Sequence, residues 1–337
     1  MKEVGKGCRI VLVSTGGTIE SISADGSLSP ERGGLTRLLR HYREKAGDLP
    51  EIEIVSPYRI LSEQLTGEYL DRLIAAVSEA IKTSPDGIVV THGSDTLAYA
   101  GCALGYALGQ CDVPVFLVAS NRPIGEAGAN GIDNFAAALA SIAEKRHRGV
   151  LIPYRNTGED KVTLHRATRV LAHRAYDDDL FSAGFCPYGF RQGKTGFIPY
   201  PYYREDCDRQ GAPTTGYADG KKVLWLHAHP DCMYPTVDDD VDAVMITAYH
   251  SGTTATEGAA ITKFAASLKE KRIPLWLAGA SADVRYRSAR DWADLGIAVL
   301  PKASPVAMYM KLRAGLDPAL SRGGDLLDAS EKSVRSR

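Results

Sequence analysis

The sequence has no excess of charge of either sign: 40 Lys and Arg stand against 41 Asp and Glu in 337 residues. A balance this close leaves no electrostatic footprint for nucleic acid or an anionic membrane surface, both of which select strongly basic faces. No apolar run reaches the roughly 18 residues that a spanning helix needs. The six cysteines (Cys8, Cys102, Cys111, Cys186, Cys207, Cys232) are scattered, with no Cys-x-x-Cys pair and no ligand-like spacing to histidine. In a chain of this size that argues against a disulfide framework and against zinc. Cys8 and Cys102 sit among apolar or small residues and read as core filler. Residues 1–7 run straight into the first apolar segment without a signal region, so a soluble cytoplasmic protein with neither membrane nor nucleic-acid partners is expected.

What is present is organised around Gly87-Ile88-Val89-Val90-Thr91-His92-Gly93-Ser94-Asp95-Thr96. The apolar run Ile88 to Val90 reads as a strand buried on both faces, closed by a turn of small polar residues and followed by a small-residue helix over 97–108. That order places reactive side chains beyond the carboxyl end of an open sheet. The same order opens the chain: a strand over 9–13, then Ser14-Thr15-Gly16-Gly17-Thr18-Ile19-Glu20. Two such turns point to one shared site.

Between and after them the periodicities predict alternation. Helices are expected over 35–42, 133–144 and from Thr66 to Ile81, where Leu70, Leu73, Ile74, Val77 and Ile81 keep helical spacing. Strands are expected over 51–55, 114–118 and 150–152. Residues 21–34, rich in Gly and Ser, read as a mobile loop beside the site, and the pattern weakens over 157–190. A second series follows, with strands over 223–227, 243–248, 274–277 and 297–300 and helices near 256–268, 289–295 and 305–312. The fold class is α/β with two parallel-sheet domains, a larger N-terminal one over 1–200 and a smaller C-terminal one over 221–326. Residues 201–220 read as the linker and 327–337 as a polar, frayed tail.

Thr15-Gly16-Gly17-Thr18-Ile19 and Thr91-His92-Gly93-Ser94-Asp95-Thr96 resemble, in order and strand context, the two signature motifs of the bacterial-type L-asparaginase/glutaminase family. Ile60-Leu61-Ser62-Glu63, Asn121-Arg122-Pro123, the stretch 130–135 and the region of Tyr286 extend the likeness over about 9–315. The Ser62-Glu63 form is nearest the branch with the archaeal tRNA-dependent amidotransferase subunit, whose additional amino-terminal domain this chain is expected to lack. The resemblance implies hydrolysis of a side-chain amide, with release of ammonia, through a threonyl acyl-enzyme and without a metal or other cofactor. It also implies a homodimer or homotetramer whose sites are completed by a neighbour's second domain.

Residue by residue, the resemblance makes Thr18 the nucleophile and Ser94 the second catalytic hydroxyl, usually a threonine. The backbone N–H groups of Ser94 and Ser120 become the oxyanion hole. Asp95 becomes the partner of a substrate α-ammonium, and Ser62 and Glu63 grip the α-amino-acid end. Plainer readings exist: a turn hydroxyl for Thr18, a macrodipole partner for Asp95, helix-start residues for Ser62 and Glu63. Two departures stand out. Arg169 falls where a relay lysine is expected, and a guanidinium stays protonated at any working pH, so it either fixes Ser94 and Asp95 electrostatically or grips a carboxylate. Leu28 falls where many members carry a tyrosine. His250 and Ser251, in place of an asparagine-containing turn, reach a neighbour's site to read substrate or are simply loop residues. His227, His229 and Asp231 offer two or three metal ligands at a strand end, but no further ligand by spacing, and 177–179 and 238–240 read as solvated acidic loops. The reading is an asparaginase-type amidohydrolase. Its alternatives are a homologue acting on a peptide or secondary-metabolite carboxamide, and a non-catalytic amino-acid binder.

Overall fold

Ile10, Val11, Leu12 and Val13 have no polar side to turn outward, and the strand they form, β1 (Arg9–Ser14), lies inside a sheet covered on both faces. In the computed structural model, residues 7–24, 27–30, 33–193, 195–280 and 286–327 are described, the side chains of 22–24 and 27–30 excepted. After β1 come the hairpin β2 (Ser21–Ala24) and β3 (Ser27–Pro30), α1 (Gly34–Ala46), β4 (Glu51–Val55), α2 (Gly67–Lys82), β5 (Gly87–Thr91), α3 (Leu97–Leu108), β6 (Val115–Val118), α4 (Gly131–Ala143) and β7 (Val150–Tyr154). Then follow β8 (Lys161–Arg166), β9 (Gly189–Gln192) and β10 (Phe197–Pro199). The first sheet has eight strands in the order β10-β9-β8-β7-β6-β5-β1-β4. From β4 to β7 it is parallel, and the two-residue period sends alternate side chains into two cores. Ile10, Leu12, Val89 and Phe116 meet α1 and α4 on one face. Val11, Val13, Ile88 and Val90 meet α2 and α3 on the other.

The second sheet is parallel throughout, in the order β11 (Val223–His227), β12 (Ala243–Thr247), β13 (Leu275–Ala278), β14 (Ile297–Val299). Its chain order includes α5 (Ala259–Glu270), α6 (Arg287–Asp291) and α7 (Pro305–Arg313). The last of these packs on α3 and adds Val306, Ala307 and Met310 to the core of the first sheet. A parallel-sheet α/β architecture with a larger first and a smaller second sheet is what the alternation predicted.

Two local expectations are corrected. Ser21–Ala24 and Ser27–Pro30 pair as antiparallel strands, Ser21 opposite Pro30, where a mobile loop is expected. Their backbone bonds need no apolar alternation, so the sequence shows no strand signal there. The weak stretch after β7 supplies an antiparallel edge, β8 to β10, whose outer strands are short and half exposed. Thr66 occupies the position before α2, but its side chain makes no capping bond. Apart from Leu327, the expected tail lies outside the described residues, as do 281–285 beside Tyr286.

The end of the chain is pinned to the first sheet by a fully buried ion pair. Lys311 Nζ donates to Asp325 Oδ2 at 2.6 Å and to the Leu320 carbonyl at 2.6 Å. Tyr106 Oη donates to the same carboxylate at 3.1 Å, and Arg322 N donates to Asp325 Oδ1 at 3.1 Å. Burial pulls the Lys311 ammonium below its ordinary range, and the Asp325 charge works against that fall. Removing one member strands a buried charge, whereas removing both does not. Asp325→Ala is therefore expected to lose about 3–5 kcal/mol in urea denaturation, and adding Lys311→Met should recover part of it. An equal or greater loss in the double variant would refute this account of the pair.

Candidate active site

β1 and β5 are parallel neighbours with Ser14 opposite Thr91, so the two motif turns leave the same end of the sheet side by side. They touch through glycine. Gly17 has φ of 78°, and a Cβ there would stand 2.3 Å from the Gly93 nitrogen. A Cβ on Gly93 would stand 2.3 Å from Ser62 Oγ. No side chain fits at either place. Hydrogen bonds then join the turns to the segment after β4. Thr15 Oγ1 donates to the Thr91 carbonyl at 2.6 Å, Gly17 N to the Ile60 carbonyl at 3.1 Å, and Ile60 N to the Thr15 carbonyl at 3.1 Å. Thr96 Oγ1 donates to the Ser62 carbonyl at 3.0 Å, and Ser62 Oγ to Asp95 Oδ2 at 3.2 Å. Thr18, half-buried, begins the 3-10 turn Thr18–Glu20 directly after Gly17.

Glu20, at the end of that turn, is fully buried behind the motifs. Ser14 Oγ donates to its Oε2 at 2.8 Å, Thr91 Oγ1 donates to Oε1, and Arg59 Nε lies 3.9 Å from Oε2. Burial raises this carboxyl above its ordinary range, while the two hydroxyls and Arg59 favour its ionised form. Each hydroxyl comes from the last residue of a motif strand, so Glu20 ties β1 to β5 at the point where both turns begin. His92 Nδ1 donates to the Gly93 carbonyl at 2.9 Å, and burial keeps its imidazole below the usual value, hence neutral.

Beyond the second turn opens a cleft of about 360 Å³, lined by Ser94, Asp95, Asn121, Tyr154 and His173 with the loop after it. Ser94 is half-buried and Asp95 exposed. Ser120, fully buried at the end of β6, accepts a bond from Gly131 N at 3.2 Å and donates to the Arg122 carbonyl at 2.5 Å. Reciprocal bonds of 3.0 Å between Asn121 and Asn130 hold the loop that follows. Glu63 is exposed on the 3-10 turn Ser62–Gln64.

Of the expected residues, Ser94 and Asp95 line the cleft, Ser62 is bonded to Asp95 behind it, and Thr18 lies on the adjoining turn. Two go elsewhere. Arg169 is buried and is not among the residues lining the cleft. Its Nε donates to the Gly324 carbonyl and its Nη2 to the Arg204 and Leu326 carbonyls, all at 2.7 Å, and its guanidinium lies 4.7 Å over the Tyr203 ring. A planar, permanently charged donor suits that seam of carbonyls, so the placement beside Ser94 and Asp95 is corrected. His250 is exposed and lines a second cleft of about 280 Å³ with Leu171, Gly184 and Lys302. Sequence reasoning missed Glu20 and His173. The first was visible as a carboxylate directly after the turn of glycines and hydroxyls, and the second stands four residues past Arg169 in a stretch of weak periodicity. Among the described residues, no group of three or more His, Cys, Asp or Glu is placed to hold a metal, and no helix is long and apolar enough to cross a membrane.

Residues 9–195 match the family model described as asparaginase, N-terminal. Among curated relatives, a glutamyl-tRNA(Gln) amidotransferase subunit from Methanosarcina barkeri is 29% identical over 205 residues, covering 57% of this chain and 46% of that protein. Its counterpart from Methanobrevibacter smithii is 32% identical over 241 residues, covering 69% and 53%. The chain thus spans about half the length of the curated relatives it matches. The thermostable L-asparaginase of Thermococcus kodakarensis shares the fold, with TM-score 0.70 and 21% identity over 91% of this chain and 92% of that one. A probable cytoplasmic L-asparaginase from Campylobacter jejuni does likewise, with TM-score 0.69 and 19% identity over 93% and 94%. With more than half of its length matched by that model, this chain belongs to the asparaginase family.

Proposed function

We propose that the protein hydrolyses a side-chain amide, of L-asparagine or a related amide, to carboxylate and ammonia through an acyl-enzyme on Thr18. The observation that carries the reading is the glycine contact between the Thr18 turn and the Ser94-Asp95 turn, beside a cleft sized for a small amide. Thr18 Oγ attacks the amide carbon, the backbone N–H groups of Ser94 and Ser120 receive the oxyanion, ammonia departs, and water cleaves the resulting ester. Asp95, steadied by the Ser62 hydroxyl, holds the substrate α-ammonium, and Glu63 extends that grip. On this reading the enzyme is a cytoplasmic homodimer or homotetramer, and His250 of one subunit helps complete the site of another.

A second reading rests on the relatives named as amidotransferase subunits, and makes this chain a subunit of such an assembly. Ammonia release by the isolated chain from free asparagine, glutamine, D-asparagine and small peptides distinguishes the two. Activity on a free amino-acid amide supports the first reading; activity on none of them removes it. Thr18→Ala should lower kcat by at least about 10³-fold, as removal of a nucleophile does. Asp95→Asn should raise KM for α-amino-acid amides roughly tenfold or more, on the order of 1.4 kcal/mol, with a smaller effect on amides lacking the α-ammonium. An unchanged KM would remove Asp95 from substrate binding.

A further inference from the structure

We infer that His173 is the proton acceptor of this site, working through the hydroxyl of Ser94; the inference rests on the Thr18 reading above. His173 follows the 3-10 turn Ala167–Arg169 and lines the same cleft as Ser94 and Asp95. Both of its ring nitrogens are shielded from solvent, and neither has a hydrogen-bond partner among the described residues. The large majority of buried side-chain polar atoms find at least one hydrogen-bond partner. Two orphaned nitrogens at the wall of a polar cleft are instead what a ring awaiting a partner leaves behind.

The surroundings suit that task. The Tyr154 ring meets the imidazole edge-on at 5.3 Å and fixes its plane, and Tyr154 Oη is itself turned to the Asp178 carbonyl at 2.8 Å. The charges facing His173 are Asp95 from the motif turn and Asp177, Asp178 and Asp179 from its own loop, with Arg174 paired to Asp177 at 2.5 Å. Burial holds the imidazole below its ordinary value of 6.5, and of the carboxylates that oppose this Asp95 acts most strongly. The ring is therefore neutral near pH 7 and can take a proton, and Asp95 stabilises the cation that results. Arg169, engaged with backbone carbonyls, can do neither.

The proton balance is simple. As Thr18 Oγ bonds to the amide carbon its proton passes to Ser94 Oγ, which gives its own to a ring nitrogen of His173. When the C–N bond breaks, the nitrogen leaves with the electron pair and takes that proton back along the same path as ammonia. The imidazole ends neutral, ready for the water that cleaves the ester.

The test measures ammonia release against pH on the full chain with the best amide from the panel above. His173→Gln should lower kcat by about 10²–10⁴-fold, the usual weight of a general base, with KM little changed. The native rate should fall as the pH drops through the imidazole pKa, below 6.5. His173→Lys should regain part of the rate only at alkaline pH, because an ammonium must first lose its proton. A His173→Gln enzyme with native kcat and pH profile, beside an inactive Thr18→Ala, overturns the role of His173 and leaves the Thr18 reading intact. His173→Gln and His173→Lys equally inactive at every pH also overturn it, because a ring needed only for packing behaves that way. If neither Thr18→Ala nor His173→Gln changes the rate, both readings fall.

Discussion

The site depends on an approach of two backbones that leaves no room for a carbon atom. Where Gly17 meets Gly93, the turns after β1 and β5 come closer than any side chain permits. That closeness makes the pair of parallel strands a single platform rather than two independent loop bases. The segment after β4 joins by ladder-like bonds between Ile60 and the Thr15 to Gly17 backbone, which brings Ser62 within reach of Asp95. Three stretches far apart in the chain are thereby held in one register before any ligand arrives, which is how a scaffold pre-organises polar groups for a small substrate.

Around that platform most of the buried ionisable groups have partners. Glu20 receives the hydroxyls of Ser14 and Thr91, and Lys311 meets Asp325. Arg166 is held by Glu205 at 2.8 Å, and Arg169 spreads over carbonyls. Such groups are tolerated in the interior because charged partners and hydrogen bonds offset much of the cost of burying them. Among the described residues His173 leaves both ring nitrogens unpartnered, and it does so at the wall of the cleft rather than deep in a core. His165 makes the contrast clear: it too has an orphaned nitrogen, Nε2, but its Nδ1 is bonded to Ser182 Oγ at 2.8 Å and burial takes it down to about 3.

Much of this was legible in the sequence. The buried parallel strands announce themselves because a strand covered on both faces must be apolar at every position, as Ile88 to Val90 are. The motif turns were visible as glycines and hydroxyls placed directly after those strands. What escaped was structure carried by backbone bonds or by distant partners. The hairpin of Ser21–Ala24 and Ser27–Pro30 has no periodic signature. Arg169 could not be separated from a site residue, because the carbonyls that claim it, at Arg204, Gly324 and Leu326, come from chain far downstream. His173 was hidden for the same reason, since only the folded path from β8 brings it to the cleft that Asp95 lines.

The seam that engages Arg169, together with α7 against α3, has a consequence for the order of events in synthesis. Val306, Ala307 and Met310 complete a core most of whose other members lie between Val11 and Leu180. While the second half is still being translated, the outer face of α3 carries Ala100, Ala103 and Tyr106 without their final cover. The first sheet emerges from the ribosome with an apolar groove that only the returning end of the same polypeptide can seal.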